Sequence, residues 1–394
     1  MYLKSDVEYL TSIYGTPLYI YDESNLNDKI KQLQGALGER IHIAYSIKAN
    51  PNAEIIQFIS KHLQYADVVS EGEIAAALSN GFSAANLLYV GPAKTIQEIT
   101  HAVHLGVINF VCESYDEVKA LNKIAEENEK RCNVILRVNP MLSHRKAGIQ
   151  MTGKSSKFGI DEREILSVTK NSLRTRHVCV IGYHSYIGTQ ILDVTNILEN
   201  LEHLMKLTLY CENEAGWIFE YLGFGGGYGI PYFENERPLD FGLLRDGVEK
   251  LYKKYPSFME KRIVSESGRF IAASCGSYIM RVLKIKSSLE RDYVITDGGL
   301  HQHAAACGIG RFVRRTFPVY IAKPETMTTH SYEITGRLCT STDSFGYYQS
   351  LPKIEEGDMI VIPNSGAYCY NMSPLQFLGF PPPKEVMIKM KEKG

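Results

Sequence analysis

The 394-residue chain has almost no net charge: 43 lysines and arginines against 44 aspartates and glutamates leave −1. It carries no sustained basic stripe, which argues against nucleic acid as its main partner. No apolar stretch approaches the roughly 18 residues that a membrane span needs. The opening residues, Met1-Tyr2-Leu3-Lys4-Ser5-Asp6, contain no hydrophobic leader region. The expectation is therefore a soluble, unexported, cytoplasmic protein that does not engage a membrane. Eight cysteines (Cys112, Cys132, Cys179, Cys211, Cys275, Cys307, Cys339, Cys369) are scattered without C-x-x-C pairs. Structural zinc and a disulfide framework are thus not expected, and a reducing compartment is the natural setting. No internal repeat or low-complexity tract stands out. The chain is too long for one small core, so two domains are expected.

What is present begins with one lysine. Ile41-His42-Ile43-Ala44-Tyr45 reads as a short buried strand, and it runs through Ser46-Ile47 to Lys48, just before the turn chemistry of Asn50-Pro51-Asn52. Desolvation at a buried strand end would lower the lysine pKa and make a neutral, nucleophilic amine accessible, as Schiff-base chemistry requires. Alone, the pattern also fits a snorkelling lysine. Two later segments shift the balance. Tyr221-Leu222-Gly223-Phe224-Gly225-Gly226-Gly227-Tyr228-Gly229 holds five glycines, a backbone surface able to turn N–H groups toward a phosphate. Ile263-Val264-Ser265-Glu266-Ser267-Gly268-Arg269 is another strand end, carrying a carboxylate, a glycine and an arginine. Lysine, glycine cradle and Glu-x-Gly-Arg together fit pyridoxal 5'-phosphate: an amine for the aldehyde, backbone and arginine for the phosphate, a carboxylate for the pyridine nitrogen.

Short apolar strands alternate with amphipathic helices through the first two thirds. Strands are expected at 41–46, 65–69, 87–90, 108–112, 134–138, 179–184, 219–223 and 263–266, with helices at 54–62, 71–79, 95–105, 115–128, 192–213 and 239–254. Eight such repeats describe a closed parallel barrel, whose chemistry sits at the strand C-terminal ends and whose phosphate sites favour the loops after strands seven and eight. The glycine run and Glu266 to Arg269 follow those two strands. After Arg269 the pattern turns β-rich, at 277–286, 292–297, 331–334 and 359–362. The fold class expected is α/β: a (β/α)8 barrel over 24–268, followed by an antiparallel β domain built from 1–23 and 269–394, into which Leu18-Tyr19-Ile20-Tyr21 pairs. Residues 139–156 read as a surface loop near the active face.

At these residues the sequence resembles the fold-type-III pyridoxal-phosphate decarboxylases, the group of diaminopimelate and ornithine decarboxylases, with their alanine-racemase-like barrel. Motifs recur in the family's order: Tyr45-Ser46-Ile47-Lys48-Ala49-Asn50, Asp67-Val68-Val69-Ser70-Glu71-Gly72-Glu73, Arg137-Val138-Asn139-Pro140, Lys157-Phe158-Gly159-Ile160, Gly225-Gly226-Gly227, Glu266-Ser267-Gly268-Arg269, Cys339-Thr340-Ser341-Thr342-Asp343 and Gly366-Ala367-Tyr368. The resemblance implies that Lys48 carries the cofactor and Glu266 pairs with the pyridine nitrogen. Gly225, Gly226, Gly227, Gly268, Arg269 and Tyr368 would hold the phosphate, with Asp67, Arg137 and Tyr186 along the ring. It implies a homodimer with shared sites, in which Cys339 reaches in from the partner subunit to protonate the α-carbon after carbon dioxide leaves. A thiol can hold and deliver that proton. His184, Asp343, Arg311 and Arg314 would meet substrate.

Three departures from the diaminopimelate decarboxylases stand out. Their His-x-His-Ile-Gly-Ser pattern reads His184-Ser185-Tyr186-Ile187-Gly188-Thr189 here, so Tyr186 takes the second histidine's place and can stack through its face. Their Arg-Pro-x-Leu-Tyr segment is replaced by Asp297-Gly298-Gly299-Leu300-His301-Gln302-His303, followed by Gly310-Arg311-Phe312-Val313-Arg314-Arg315. The glutamate after their cysteine is Thr340. These features are more similar to the branch that contains the glutamyl carrier-protein decarboxylase of butirosin synthesis, which implies an amino-acid group on a larger or carrier-linked biosynthetic intermediate and an acyl or peptidyl carrier protein as partner. The alternatives are a free amino-acid decarboxylase (diaminopimelate included), a racemase, and a non-catalytic cofactor-binding regulator. His301 and His303 are read as packing or substrate contacts, with no metal expected.

Overall fold

A computed structural model describes residues 4–141, 149–150, 155–309, 315–323 and 329–389. The chain divides into two compact units: 28–231 with 237–270, and 1–27 with 232–236 and 271–394.

The first unit is the barrel. Its strands are β2 (Ile41–Ser46), β3 (Tyr65–Val68), β4 (Leu87–Tyr89), β5 (Asn109–Cys112), β6 (Cys132–Asn139), β7 (Val178–Tyr186), β8 (Tyr221–Gly225) and β9 (Arg262–Ser267), with β1 reserved for the Leu18–Asp22 strand of the other unit. All neighbouring pairs are parallel; β9 returns to β2 and β5 pairs with β6, so the ring closes. The strands β3, β4 and β5 are short because each apolar run soon gives way to a capped helix. Ser70 and Ser114 accept the N–H of Glu73 and Glu117, and Thr95 with Glu98 forms a reciprocal capping box. Ala44, Tyr65, Leu88, Val111, Ile135, Ile181, Tyr221 and Val264, one from each strand, form a buried layer with Val90 inside the ring. Filling of this kind makes the barrel a packed core and leaves the strand C-terminal ends for chemistry.

The second unit is built on a sheet of β10 (Gly276–Ser288), β11 (Arg291–Thr296), β12 (Thr329–Thr335), β13 (Ser344–Pro352) and β14 (Met359–Ile362), edged by Tyr320–Ile321. The expected Leu18–Tyr21 strand does pair into it: β1 runs antiparallel to β10, and on its other side parallel to β15 (Lys384–Ile388). A second parallel pairing joins β11 to β12, so the sheet is mainly rather than wholly antiparallel. The helix Lys4–Tyr14 buries Val7 and Leu10 against Leu18, Ile20, Ile279, Met359 and Val361. Among the described residues no helix is long and apolar enough to cross a membrane.

Candidate active site

Lys48 lies in the short 3-10 turn Ile47–Ala49 that follows β2. The turn is fixed on its far side by Tyr45, whose hydroxyl donates to the Asn50 carbonyl at 2.9 Å, and by Asn52, whose side chain caps the helix Ala53–Ser60. The Lys48 ammonium donates to both oxygens of Asp67, at 2.7 and 2.9 Å. Asp67 is fully buried at the register position opposite Ser46, and the Ser46 hydroxyl donates to it as well. Burial pushes the Asp67 carboxyl up, Lys48 pulls it down, and Glu266 pushes it up again. The lysine side chain is 39% exposed. The amine is therefore paired with a carboxylate at a solvent-open mouth rather than desolvated, which corrects the expectation from the strand end alone.

The glycine run is not all loop. Gly223 and Gly225 belong to β8, opposite His184 and Tyr186 of β7. Their lack of side chain is used for packing: a Cβ on Gly225 would come within 1.9 Å of the Tyr186 ring, and one on Gly226 within 1.8 Å of Tyr228. Gly227 has φ +57° and lies against the Gly188 carbonyl. The Gly226 N–H donates to the Glu266 carbonyl at 3.2 Å. That amide ties the end of β8 to β9 and is not free for a phosphate, which corrects its place in the cradle. Gly268 is also demanded by close approach, its Cβ position lying 2.7 Å from Ala49.

Glu266 is buried near the end of β9, with His184 Nε2 2.9 Å from its Oε1. Burial opposes its ionisation, but the nearby charges of His184, Lys48 and Arg137 outweigh it and hold the carboxyl well below the usual range. His184 itself is 1% exposed, so a direct substrate contact does not fit; its neighbour is the carboxylate. Tyr186 is raised by burial and feels Lys48, Glu266 and Arg269. On the other side, Arg137 donates to Glu113 at 2.7 Å and stacks on Phe158 at 4.9 Å. The second Glu113 oxygen accepts the Gly159 N–H at 2.7 Å. Glu113 was missed by the sequence reading, because an acid just before a capping serine looks like a solvated helix start.

Lys48, Asp67, Arg137, His184, Tyr186, Gly225, Gly226, Gly227, Glu266, Gly268 and Arg269 all occupy C-terminal ends of barrel strands or the turns after them. Cys339, Asp343 and Tyr368 belong to the sheet unit. There Cys339 is exposed. Asp343 is buried, and its two oxygens accept the N–H groups of Leu300 at 2.6 Å and Leu338 at 2.8 Å. That makes it a brace for the Cys339 turn rather than a group presented to substrate. Arg311 and Arg314 lie outside the described residues. Arg315 pairs with Glu236 at 2.6 Å and stacks on Phe233, so it is no free anion site. His303 Nε2 hydrogen-bonds with Ser365 and its Nδ1 accepts the Ala306 N–H, a packing role.

These groups fit pyridoxal phosphate on one structural test. Glu266 Oε1 is buried and, despite the close imidazole, meets no donor in hydrogen-bond alignment. A buried acceptor without a donor is costly unless something supplies one, and a pyridinium N–H does so. Comparison with known proteins agrees. The family profile described as "Pyridoxal-dependent decarboxylase, pyridoxal binding domain" matches residues 23–273. The L-glutamyl-[BtrI acyl-carrier protein] decarboxylase of Niallia circulans is 33% identical over 390 residues, covering 98% of this chain and 91% of that protein. Diaminopimelate decarboxylase of Methanothermobacter thermautotrophicus is 32% identical, covering 98% and 89%. A crystal structure of diaminopimelate decarboxylase from Helicobacter pylori complexed with L-lysine superposes with TM-score 0.87 at 26% identity, over 97% of this chain and 94% of that one.

Proposed function

This chain belongs to the pyridoxal-dependent decarboxylases and is a pyridoxal-phosphate-dependent decarboxylase, and from that premise we propose that it removes carbon dioxide from an amino-acid group borne on a larger, carrier-linked intermediate. The observation that carries the proposal is the residue after the cysteine. Diaminopimelate decarboxylases place a glutamate there, whereas this chain has Thr340 and also lacks the Arg-Pro-x-Leu-Tyr clamp. A polar group left unpaired in a dry site costs roughly 2–7 kcal/mol, and a full charge costs more. A distal ammonium is therefore disfavoured here, and an acyl-linked amino acid has none to place. The 33% identity to a protein named for a carrier-bound glutamyl substrate supports the same direction.

Pyridoxal phosphate supplies an aldehyde for amines and an electron-withdrawing ring that accepts the charge left when carbon dioxide departs. The protein's part follows from its own groups. Lys48 offers the amine, and Asp67 holds it in place between visits. Glu266 keeps a ring nitrogen protonated through its low pKa. Arg269, Gly225, Gly227 and Gly268 are assigned to the phosphate, and Tyr186 to a ring face. Cys339, brought by the partner in a homodimer, holds a proton for the α-carbon; its turn is braced by Asp343. An exposed thiol can take up a replacement proton from water after each cycle.

The test is carbon dioxide release from free meso-diaminopimelate, free glutamate and a glutamyl-loaded acyl carrier protein. The proposal expects the carrier-linked substrate to lead by at least ~10²-fold in kcat/KM. Efficient turnover of free diaminopimelate would instead support the second reading, which the 32% identity to a diaminopimelate decarboxylase keeps in play.

A further inference from the structure

The chemistry above uses Glu266 but not the two buried polar groups behind it, His184 and Tyr221. His184 is 1% exposed; its Nε2 lies 2.9 Å from Glu266 Oε1 without hydrogen-bond alignment and its Nδ1 meets no partner, and the Tyr221 hydroxyl is also buried without one. Such orphans cost free energy, so their persistence beside a functional carboxylate is informative. The imidazole is held firmly. It lies in β7 between Arg137 of β6 and Gly223 of β8 in register. Next to it, the Ser185 hydroxyl donates to Asn200 at 3.0 Å, which anchors the strand to the helix Val194–Ala215. A Cβ on Gly223 would fall 3.1 Å from the imidazole Cδ2 and 3.0 Å from the Tyr221 oxygen, so the glycine leaves the space in which ring and phenol meet.

We propose that His184 is a positioning residue that donates Nε2–H to the Glu266 carboxylate from inside the barrel and thereby aims it, ionised, at the pyridine nitrogen. The 2.9 Å separation is already hydrogen-bond length, and only the angle is wrong. A small rotation of the imidazole or the carboxylate aligns it. A carboxylate oxygen can accept two donors, so ring and imidazole do not compete. The other groups facing Glu266 are Lys48 after β2, Arg137 on β6, Asp67 on β3, Tyr186 on β7 and Tyr221 on β8. Arg137 is hydrogen-bonded to Glu113 and Lys48 to Asp67, while His184 Nε2 lies within hydrogen-bond reach of the Glu266 carboxylate.

The inference rests on Glu266 facing the ring nitrogen, and the experiment separates the two claims. Wild-type, Glu266→Gln, His184→Phe and His184→Gln holoenzymes are loaded with cofactor labelled with nitrogen-15 in the ring, and the ring-nitrogen chemical shift is followed against pH alongside kcat, KM and apo-protein melting. The wild-type nitrogen should stay protonated across the working range and lose its proton at lower pH in His184→Phe. The same variant should lose about 10- to 100-fold in kcat, the kinetic equivalent of a hydrogen bond to a charged group, with KM little changed. His184→Gln, which retains an N–H donor, should recover most of both. If His184→Phe does not fold, His184→Asn, too short to reach the carboxylate, carries the same expectations. A ring nitrogen that titrates in the His184 variants as in wild type overturns the role of His184. One that is also unmoved by Glu266→Gln overturns the reading of Glu266 itself.

Discussion

Replacing Glu113 with alanine tests the barrel's buried charge arrangement most severely. The carboxylate and the Arg137 guanidinium are both almost wholly enclosed, with side chains 4% and 8% exposed and 2.7 Å between them. Removing one partner of such a pair leaves a charge stranded where water cannot reach it, at a cost of about 3–5 kcal/mol. The Gly159 N–H loses its acceptor at the same time. Gly159 has φ +74°, and its Cβ position lies 2.9 Å from the Asn139 amide, so that turn cannot simply fold back to find another acceptor. For a unit of roughly this size, melting shifts by about 2–4 °C per kcal/mol, which places the fall at about 6–20 °C. Thermal unfolding of the apo-protein by far-ultraviolet circular dichroism measures it. Lys119→Ala, which removes an exposed pair with Asp116, is the control and should leave the transition in place. The double variant Glu113→Leu/Arg137→Leu should recover a large part of the loss, because no charge is then left unpaired. A Glu113→Ala protein that melts with the Lys119→Ala control, or a double variant as unstable as the two singles added together, would refute the reasoning.

Burial raises Glu73 from 4.5 to about 7. A carboxyl raised on folding adds stability below its unfolded pKa and loses that contribution as pH climbs through the folded value. Glu73→Gln, whose side-chain oxygen can still accept the Val69 N–H, should therefore flatten the decline in melting temperature between about pH 4.5 and 7; an unchanged pH profile would count against it. Gly226→Ala should destabilise by about 1–3 kcal/mol, because the new methyl would meet the Tyr228 ring, which a hydrogen bond to Ser265 at 2.8 Å holds in place. Gly35→Ala, in the helix Glu23–Leu37 with nothing within 4 Å, should be neutral or stabilising in the same denaturation series. If Cys339 enters from the partner subunit, inactive Lys48→Ala and Cys339→Ala proteins refolded together should regain activity through hybrid dimers with one intact site; isolated hybrid dimers without turnover would argue against shared sites.

Barrel topology was legible because parallel strands buried on both faces read as unbroken apolar runs: 41–46 stands where it was expected, and the other seven strands lie within two residues of their expected positions at one end or the other. The glycine run was less transparent. Glycine reads as a strand breaker, yet Gly223 and Gly225 sit inside β8, where the space they leave is taken by His184, Tyr221 and the Tyr186 ring. The helix Lys4–Tyr14 was passed over because its polar residues mask the apolar stripe. Strand β13 was missed because serine and glycine dilute its alternation, while its pairing with β12 supplies what propensity does not. At the site, Lys48, Asp67 and Glu266 were readable as strand-end residues in motifs. The jobs of Glu113 and His184 were not, since each depends on a neighbour more than twenty residues away in sequence. Asp343 was legible as important, but its two backbone acceptances appear only in three dimensions.

The central claim is that the amine of Lys48 carries the cofactor. Borohydride reduction of the holoenzyme, proteolysis and mass spectrometry test it directly. The account predicts one phosphopyridoxyl group per chain, found on the peptide that contains Lys48 and missing from Lys48→Ala, whose preparation should also lack the visible chromophore. A reduced adduct on any other lysine, or an unmodified Lys48 in protein that turns over substrate, would contradict it.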